Sequence, residues 1–218
     1  MFFRFLLKFK YLAISVLGFC FSSGFIAYPL VAMAENPKIL IYGDSLSAAY
    51  GVAQQQGWAS LLQKKLIEKH YQYNVINASI SGETTSGGLS RLATTLAEFK
   101  PNIIILELGA NDGLRGLPLT EMTKNLSAMI SLSKKSRAKV LLVGMRIPPN
   151  YGPKYTASFS QTYSQLSQQH KTSLVPFMLE NIAAKPNLIQ DDGLHPNALG
   201  QPIILENIWS KLQFMLNK

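Results

Sequence analysis

From residue 38 onward the chain alternates two kinds of hydrophobic pattern. Short apolar runs rich in Ile, Leu and Val occupy residues 38–42, 73–78, 102–108, 139–144 and 173–175. Continuous apolar runs of this length read as strands buried on both faces. Between them lie longer stretches in which apolar residues recur every three or four positions. In the first of these, Trp58, Leu61, Leu62, Leu66 and Ile67 mark one face of a helix over residues 58–69. The same spacing predicts helices over 86–99, 120–136, 158–170 and 197–216.

Strand and helix in strict alternation argue for a parallel sheet covered on both sides by helices. Right-handed crossovers then direct the carboxyl ends of all strands to one edge, where open sheets of this kind bind their ligands. The loops after the strands are therefore where chemistry is expected. No internal repeat, low-complexity tract or long linker interrupts the pattern.

The first 34 residues follow another rule. Arg4, Lys8 and Lys10 precede an apolar stretch from Tyr11 to about Val31, which closes on Ala32-Met33-Ala34. A basic start, an apolar middle and a small-x-small ending describe a cleaved secretory leader. The alternative is a retained membrane anchor, but Ser22, Ser23, Gly24 and Pro29 interrupt the run. Phe19 before Cys20 makes a poor lipoprotein processing site.

Removing 34 residues from 218 leaves 184, the size of one domain. Cys20 is the only cysteine, so the processed chain has no thiol chemistry, disulfide or cysteine metal site. With three of the 21 basic residues in the leader, 18 remain against 12 acidic ones, a net charge of +6. The charges are scattered singly, without the aromatic interleaving of a nucleic-acid surface. Such scattering favours an ordinary solvated surface, while the excess permits transient contact with anionic lipid or acidic substrates. Nothing in the sequence specifies an oligomeric state.

Four loop segments carry candidate chemistry. The first strand runs into Gly43-Asp44-Ser45-Leu46-Ser47, where Ser45 is a nucleophile or, equally, a helix N-cap. The second strand is followed by Asn77-Ala-Ser-Ile-Ser-Gly82, in which Gly82 either turns the chain or lets backbone approach a ligand. Gly109-Ala-Asn111-Asp-Gly113 follows the third strand, where Asn111 either forms a local turn, the simpler reading on its own, or offers a side-chain amide to an oxyanion. Near the end, QDDGLHPNALG places Asp192 three residues before His195, with Pro196 behind. Acyl transfer needs a hydroxyl, a base, a carboxylate to orient it and N–H donors for an oxyanion, and these residues fill every role.

The four blocks GDSLS, the Gly82 loop, GAND and DGLHP, in this order over nearly the whole processed chain, resemble the SGNH or GDSL hydrolases. ELGANDGLRG and RIPPNYG are similar to the secreted bacterial thioesterase, arylesterase and lysophospholipase group. The resemblance implies a flavodoxin-like three-layer αβα sandwich with about five parallel strands. It implies Ser45 as nucleophile, His195 as base and Asp192 as its partner. It also implies an oxyanion hole from Ser45, Gly82 and Asn111, with no metal or cofactor. The substrate is then a small-molecule ester or thioester with an acyl chain, and the location periplasmic or extracellular. Asp191 is a neighbouring candidate, which the D-x-x-H spacing decides in favour of Asp192.

Leu114 and Leu117, which follow Gly113 and Gly116 respectively, are expected to form a mobile wall over the acyl chain, hinged at the glycines. Two other readings stay open: a carbohydrate acetylesterase using the same residues, and a periplasmic lipid-binding module that has lost activity. Competing motifs are weaker. There is no Gly-x-Ser-x-Gly elbow. Ser131-Leu-Ser-Lys134 matches S-x-x-K but falls in a predicted surface helix. His70 and His170, each near a helix end, read as surface residues.

Overall fold

All five apolar runs form strands: β1 (Lys38–Gly43), β2 (Asn74–Asn77), β3 (Ile103–Glu107), β4 (Lys139–Val143) and β5 (Ser173–Val175). They pair in the order β2-β1-β3-β4-β5, every pair parallel. The helices are α1 (Trp58–Glu68), α2 (Thr85–Phe99), α3 (Ala110–Leu114), α4 (Leu119–Lys135), α5 (Pro153–His170) and α6 (Gln201–Leu212). α1 packs on α6, while α2 packs on α4 and α4 on α5. With right-handed crossovers these groups lie on opposite faces of the sheet, giving the expected αβα sandwich. The computed structural model describes residues 35–218, which form one compact unit. The expected leader and its cleavage site at residues 1–34 lie outside them.

The middle strands are buried on both faces, which is why they read as unbroken apolar runs. Ile39–Tyr42, Ile103–Leu106 and Val140–Val143 are all in the core. Trp58, Leu62 and Leu66 of α1 cover one side with Ile208 and Leu212 of α6, and Leu92, Leu126, Met129 and Phe159 cover the other. Each such side chain contributes about 1.5–3 kcal/mol by leaving water.

Several boundaries differ from the sequence expectation. α5 begins at Pro153, five residues before the expected 158. Proline suits the first helical position, where its missing N–H costs nothing, and no residue before Phe159 is buried to give a periodic signal. α6 begins at Gln201 rather than 197, because residues 197–200 form a turn closed by Gly200 N–H on the Asn197 carbonyl. It stops at Leu212, followed by a 3-10 turn over Gln213–Met215. The segment after β3 is the short helix α3 rather than a loop.

One charged residue ends the most buried strand. Glu107 is fully buried; its Oε2 accepts the Ser47 hydroxyl at 2.7 Å and the Asp44 N–H at 3.3 Å. A Cβ on Gly43 would stand 2.4 Å from that Oε2, so only glycine lets the carboxylate under the loop. Asp44 is buried beside it and accepts the Leu46 N–H at 3.0 Å and the Asn111 side-chain N–H at 3.1 Å. Burial pushes the Asp44 carboxyl up to about 6, against the Leu46 N–H, the His195 charge and the Asn111 amide. Burial, with the Asp44 charge second, holds Glu107 well above the usual carboxylate range.

Two expectations follow from this packing. Ile104→Ala, at the centre of the sheet, should cost about 2–5 kcal/mol in urea denaturation. For the buried pair, the folded state keeps protons that the unfolded chain releases near pH 4. Stability therefore falls as pH rises from about 4 through the raised folded values, that of Asp44 lying near 6. Glu107→Gln removes part of that decline. Its melting temperature, relative to the parent, should become more favourable between pH 5 and pH 8. A pH-independent difference would mean that this carboxyl does not titrate with folding.

Candidate active site

β1 ends at Gly43 and the chain turns repeatedly over residues 44–50, with no regular helix at Ser45. The Ser47 and Ala48 N–H groups close on the Asp44 carbonyl at 3.2 and 3.0 Å, and Tyr50 N–H on the Ser45 carbonyl at 3.2 Å. With Glu107 beneath it, this turn presents the Ser45 hydroxyl at the carboxyl edge of the sheet.

His195 arrives from the other end of the sequence on a small hairpin. Ile189 and Pro196 form an antiparallel bridge, with Gln190 N–H on the His195 carbonyl and Asn197 N–H on the Leu188 carbonyl, each at 2.8 Å. Gly193 closes the loop with φ +71°. Asp192 Oδ1 accepts the N–H groups of Leu194 and His195, both at 2.9 Å. Its Oδ2 lies 2.6 Å from His195 Nδ1, and His195 Nε2 lies 2.8 Å from Ser45 Oγ. Burial raises the Asp192 carboxyl, but the two backbone N–H groups and the imidazole outweigh it and bring it down to about 2. Asp191 is exposed and takes no part in this chain of contacts.

Ser45, Gly82, Asn111 and His195 line one cavity of about 550 Å³, a usual size for a small-molecule site. Gly82 has φ +77°, a conformation that favours glycine. Asn111 spends one side-chain N–H on Asp44 Oδ2, which fixes the amide and leaves the second donor free of that bond. Asp112, buried next to it, accepts the Thr85 N–H at 2.8 Å and the Thr85 hydroxyl at 2.6 Å. That pair ties the start of α2, and with it the Gly82 loop, to α3. Arg115 Nη2 donates to the Gly82 carbonyl at 2.9 Å and ties the same loop from outside.

The apolar wall only partly matches the expectation. Leu114 lines the cavity together with Ile147, Pro148, Phe177, Leu179 and Ile189. Leu117 is not among the lining residues; it is 37% exposed, and its carbonyl accepts the Tyr155 hydroxyl at 3.2 Å. Gly113 lies inside α3, where a Cβ would meet Phe159 at 2.5 Å, so it serves close packing rather than a hinge. Gly116 alone sits in open space with a left-handed φ of +64°. The Tyr151 hydroxyl also holds the Leu114 carbonyl, at 2.8 Å.

Besides the buried Glu107, sequence reasoning missed two residues next to the histidine. Gln190 Nε2 donates to the Tyr50 carbonyl at 2.9 Å and the Pro196 carbonyl at 3.0 Å, joining the histidine hairpin to the serine turn. The Tyr50 ring lies 4.6 Å from the imidazole, tilted by 42°. A polar residue before two aspartates and a tyrosine after a turn carry no periodic signal. The other histidines stand elsewhere: His170 Nε2 is 2.7 Å from Ser127 Oγ, and His70 is exposed at the end of α1.

Comparison with known proteins identifies the family. The description "GDSL-like Lipase/Acylhydrolase family" matches residues 41–203. An arylesterase of Vibrio mimicus is 44% identical over 197 residues, covering 90% of this chain and 94% of that one. Thioesterase 1/protease 1/lysophospholipase L1 of Escherichia coli is 40% identical over 184 residues, covering 84% and 87%. The crystal structure of TesA superposes with a TM-score of 0.81 at 48% identity, covering 82% of this chain and 99% of that one. The chain belongs to the GDSL-like, or SGNH, lipase/acylhydrolase family and is a serine esterase.

Proposed function

We propose that the protein hydrolyses esters and thioesters of apolar acyl chains through an acyl-enzyme on Ser45. The observation that carries this reading is the unbroken Asp192–His195–Ser45 chain, at 2.6 and 2.8 Å, opening on a mostly apolar cavity. His195 Nε2 takes the hydroxyl proton as Ser45 Oγ attacks the carbonyl. Asp192, held ionised, fixes the ring tautomer and stabilises the imidazolium. The negative charge on the substrate oxygen is met by the N–H groups of Ser45 and Gly82 and by the Asn111 amide. His195 then protonates the leaving alcohol or thiol. A water deprotonated by the same ring attacks the acyl carbon, releasing the acid and restoring Ser45.

The apolar lining from Leu114, Ile147, Pro148 and Phe177 supports fatty acyl or aryl groups over a small polar acetyl-sugar. The names of the relatives, arylesterase and thioesterase/lysophospholipase, point the same way. The amino-terminal pattern supports cleavage after Ala34 and export to the periplasm or beyond.

Ser45→Ala should lower hydrolysis of p-nitrophenyl esters by more than ~10³-fold and abolish labelling by a fluorophosphonate. Asn111→Ala should cost roughly 10²–10³-fold in kcat, as removal of one oxyanion donor does. Near-normal turnover in Ser45→Ala would refute the nucleophile assignment. Leu114→Ala should shift the acyl-length profile, measured from acetate to palmitate esters, while Leu117→Ala should leave it unchanged.

A further inference from the structure

The five long helices, α1, α2, α4, α5 and α6, run antiparallel to the strands, so each returns its carboxyl end to the edge where the strands begin. That edge lies opposite the Ser45 cavity. β1 and β4 start there with Lys38 and Lys139. Lys100 and Lys171 occupy the left-handed positions just past α2 and α5, with φ +47° and +49°, and Arg137, with φ +69°, stands two residues past α4. Lys69, Lys134, Lys135, Lys211 and Lys218 complete the set on the last turns of the helices and the carboxyl terminus, leaving aside Lys65 in the last turn of α1, which is paired with Glu206. Ten of the 18 basic residues from residue 35 onward therefore gather at one edge, facing only three of the 12 acidic ones, Glu35, Glu68 and Glu98. The rest of the domain carries eight basic and nine acidic residues, so the whole positive excess resides here.

Helix carboxyl ends attract basic residues for a local reason, since each carries roughly half a negative charge. Five helix ends offset only about two and a half of the seven excess charges, and the chain terminus one more. Nor are the charges neutralised by neighbours: among the described residues Lys38 alone of the ten is ion-paired, with Glu35 at 2.5 Å. A second observation points to lipid rather than to a simple polyanion. Phe214, just past α6, is 82% exposed, and Ile67, in the last turn of α1, is 63% exposed. α1 and α6 pack against each other, so both apolar side chains stand at one corner of the basic edge.

We propose that this edge docks on the surface of an anionic phospholipid bilayer, its basic residues over the headgroups and Phe214 and Ile67 inserted between them. Bound in this way, the protein turns the Ser45 cavity away from the lipid and takes its substrate from the aqueous side. The attachment is reversible and depends on salt, because exposed charges are screened within about 10 Å at 0.1 M.

The test uses residues 35–218 in co-sedimentation with vesicles, alongside hydrolysis of a soluble p-nitrophenyl ester. Vesicles one-third phosphatidylglycerol should bind the protein at about 50 mM salt, and about 0.5 M salt should release it. Lys100→Gln/Arg137→Gln/Lys171→Gln should weaken partition roughly 100-fold, at about fivefold per charge. Phe214→Ala should weaken it about tenfold. Both variants should hydrolyse the soluble ester at the parent rate, which separates this proposal from the assignment of the active site. The proposal fails if the anionic vesicles do not bind the parent, if pure phosphatidylcholine binds it equally, or if the triple variant partitions like the parent. Unchanged vesicle binding by Phe214→Ala would identify a plain polyanion site and overturn the bilayer assignment.

Discussion

Ser45 and His195 are 150 positions apart, yet their oxygen and nitrogen meet at 2.8 Å. A displacement of about 1 Å between reacting groups can cost 100-fold in rate, so this contact constrains everything around it. Three cross-ties supply the constraint. Glu107 holds the serine turn from below through the Ser47 hydroxyl and the Asp44 N–H. Gln190 joins the histidine hairpin to Tyr50 at the far side of that turn. Gln201, at the first position of α6, accepts the Trp58 N–H at 3.0 Å and donates to the Pro196 carbonyl at 3.3 Å, locking the hairpin's exit onto the start of α1. The Glu107 and Gln201 ties are buried polar contacts, where a lost partner costs more than the bond contributes, while the Gln190–Tyr50 bond is exposed.

The strands were legible because burial on both faces leaves no polar position to break an apolar run. Helix ends were less legible where the first turn buries nothing, as before Phe159, or where a turn imitates helical spacing, as over residues 197–200. The hairpin that presents His195 had no signature, since one bridge between Ile189 and Pro196 is too short for alternation. At the site, Ser45, Gly82, Asn111, Asp192 and His195 stood out through their four ordered blocks; the structure gathers four of them around one cavity, with Asp192 behind His195. Leu117 looked equivalent to Leu114 in sequence, but α3 ends between them and turns only Leu114 inward. Glu107 was hidden by its position: a single carboxylate at the end of an apolar strand looks like a solvated terminus until the loop above it is known.

The carboxylates of this edge show how environment divides one chemical group into different roles. Asp192 gains two backbone N–H donors and an imidazole, and is held down at about 2. Asp44, close in space but sealed from water, rises to about 6, and burial, with the Asp44 charge second, holds Glu107 well above the usual carboxylate range. The charge that can orient an imidazole is thus kept where solvent and N–H groups support it. The carboxyls that shape the loop are left where ionisation is unfavourable.

Asp192 performs two tasks with its two oxygens: Oδ1 folds residues 192–195 into their turn, while Oδ2 meets the ring. The order of a short surface segment and the aim of the imidazole are consequently a single degree of freedom. That segment hangs on a handful of hydrogen bonds outside the sheet, so it opens at lower free energy than the core. If Asp192 and His195 act as proposed, inactivation on warming and collapse of the fold would be separate events, the first arriving while the sandwich is still intact.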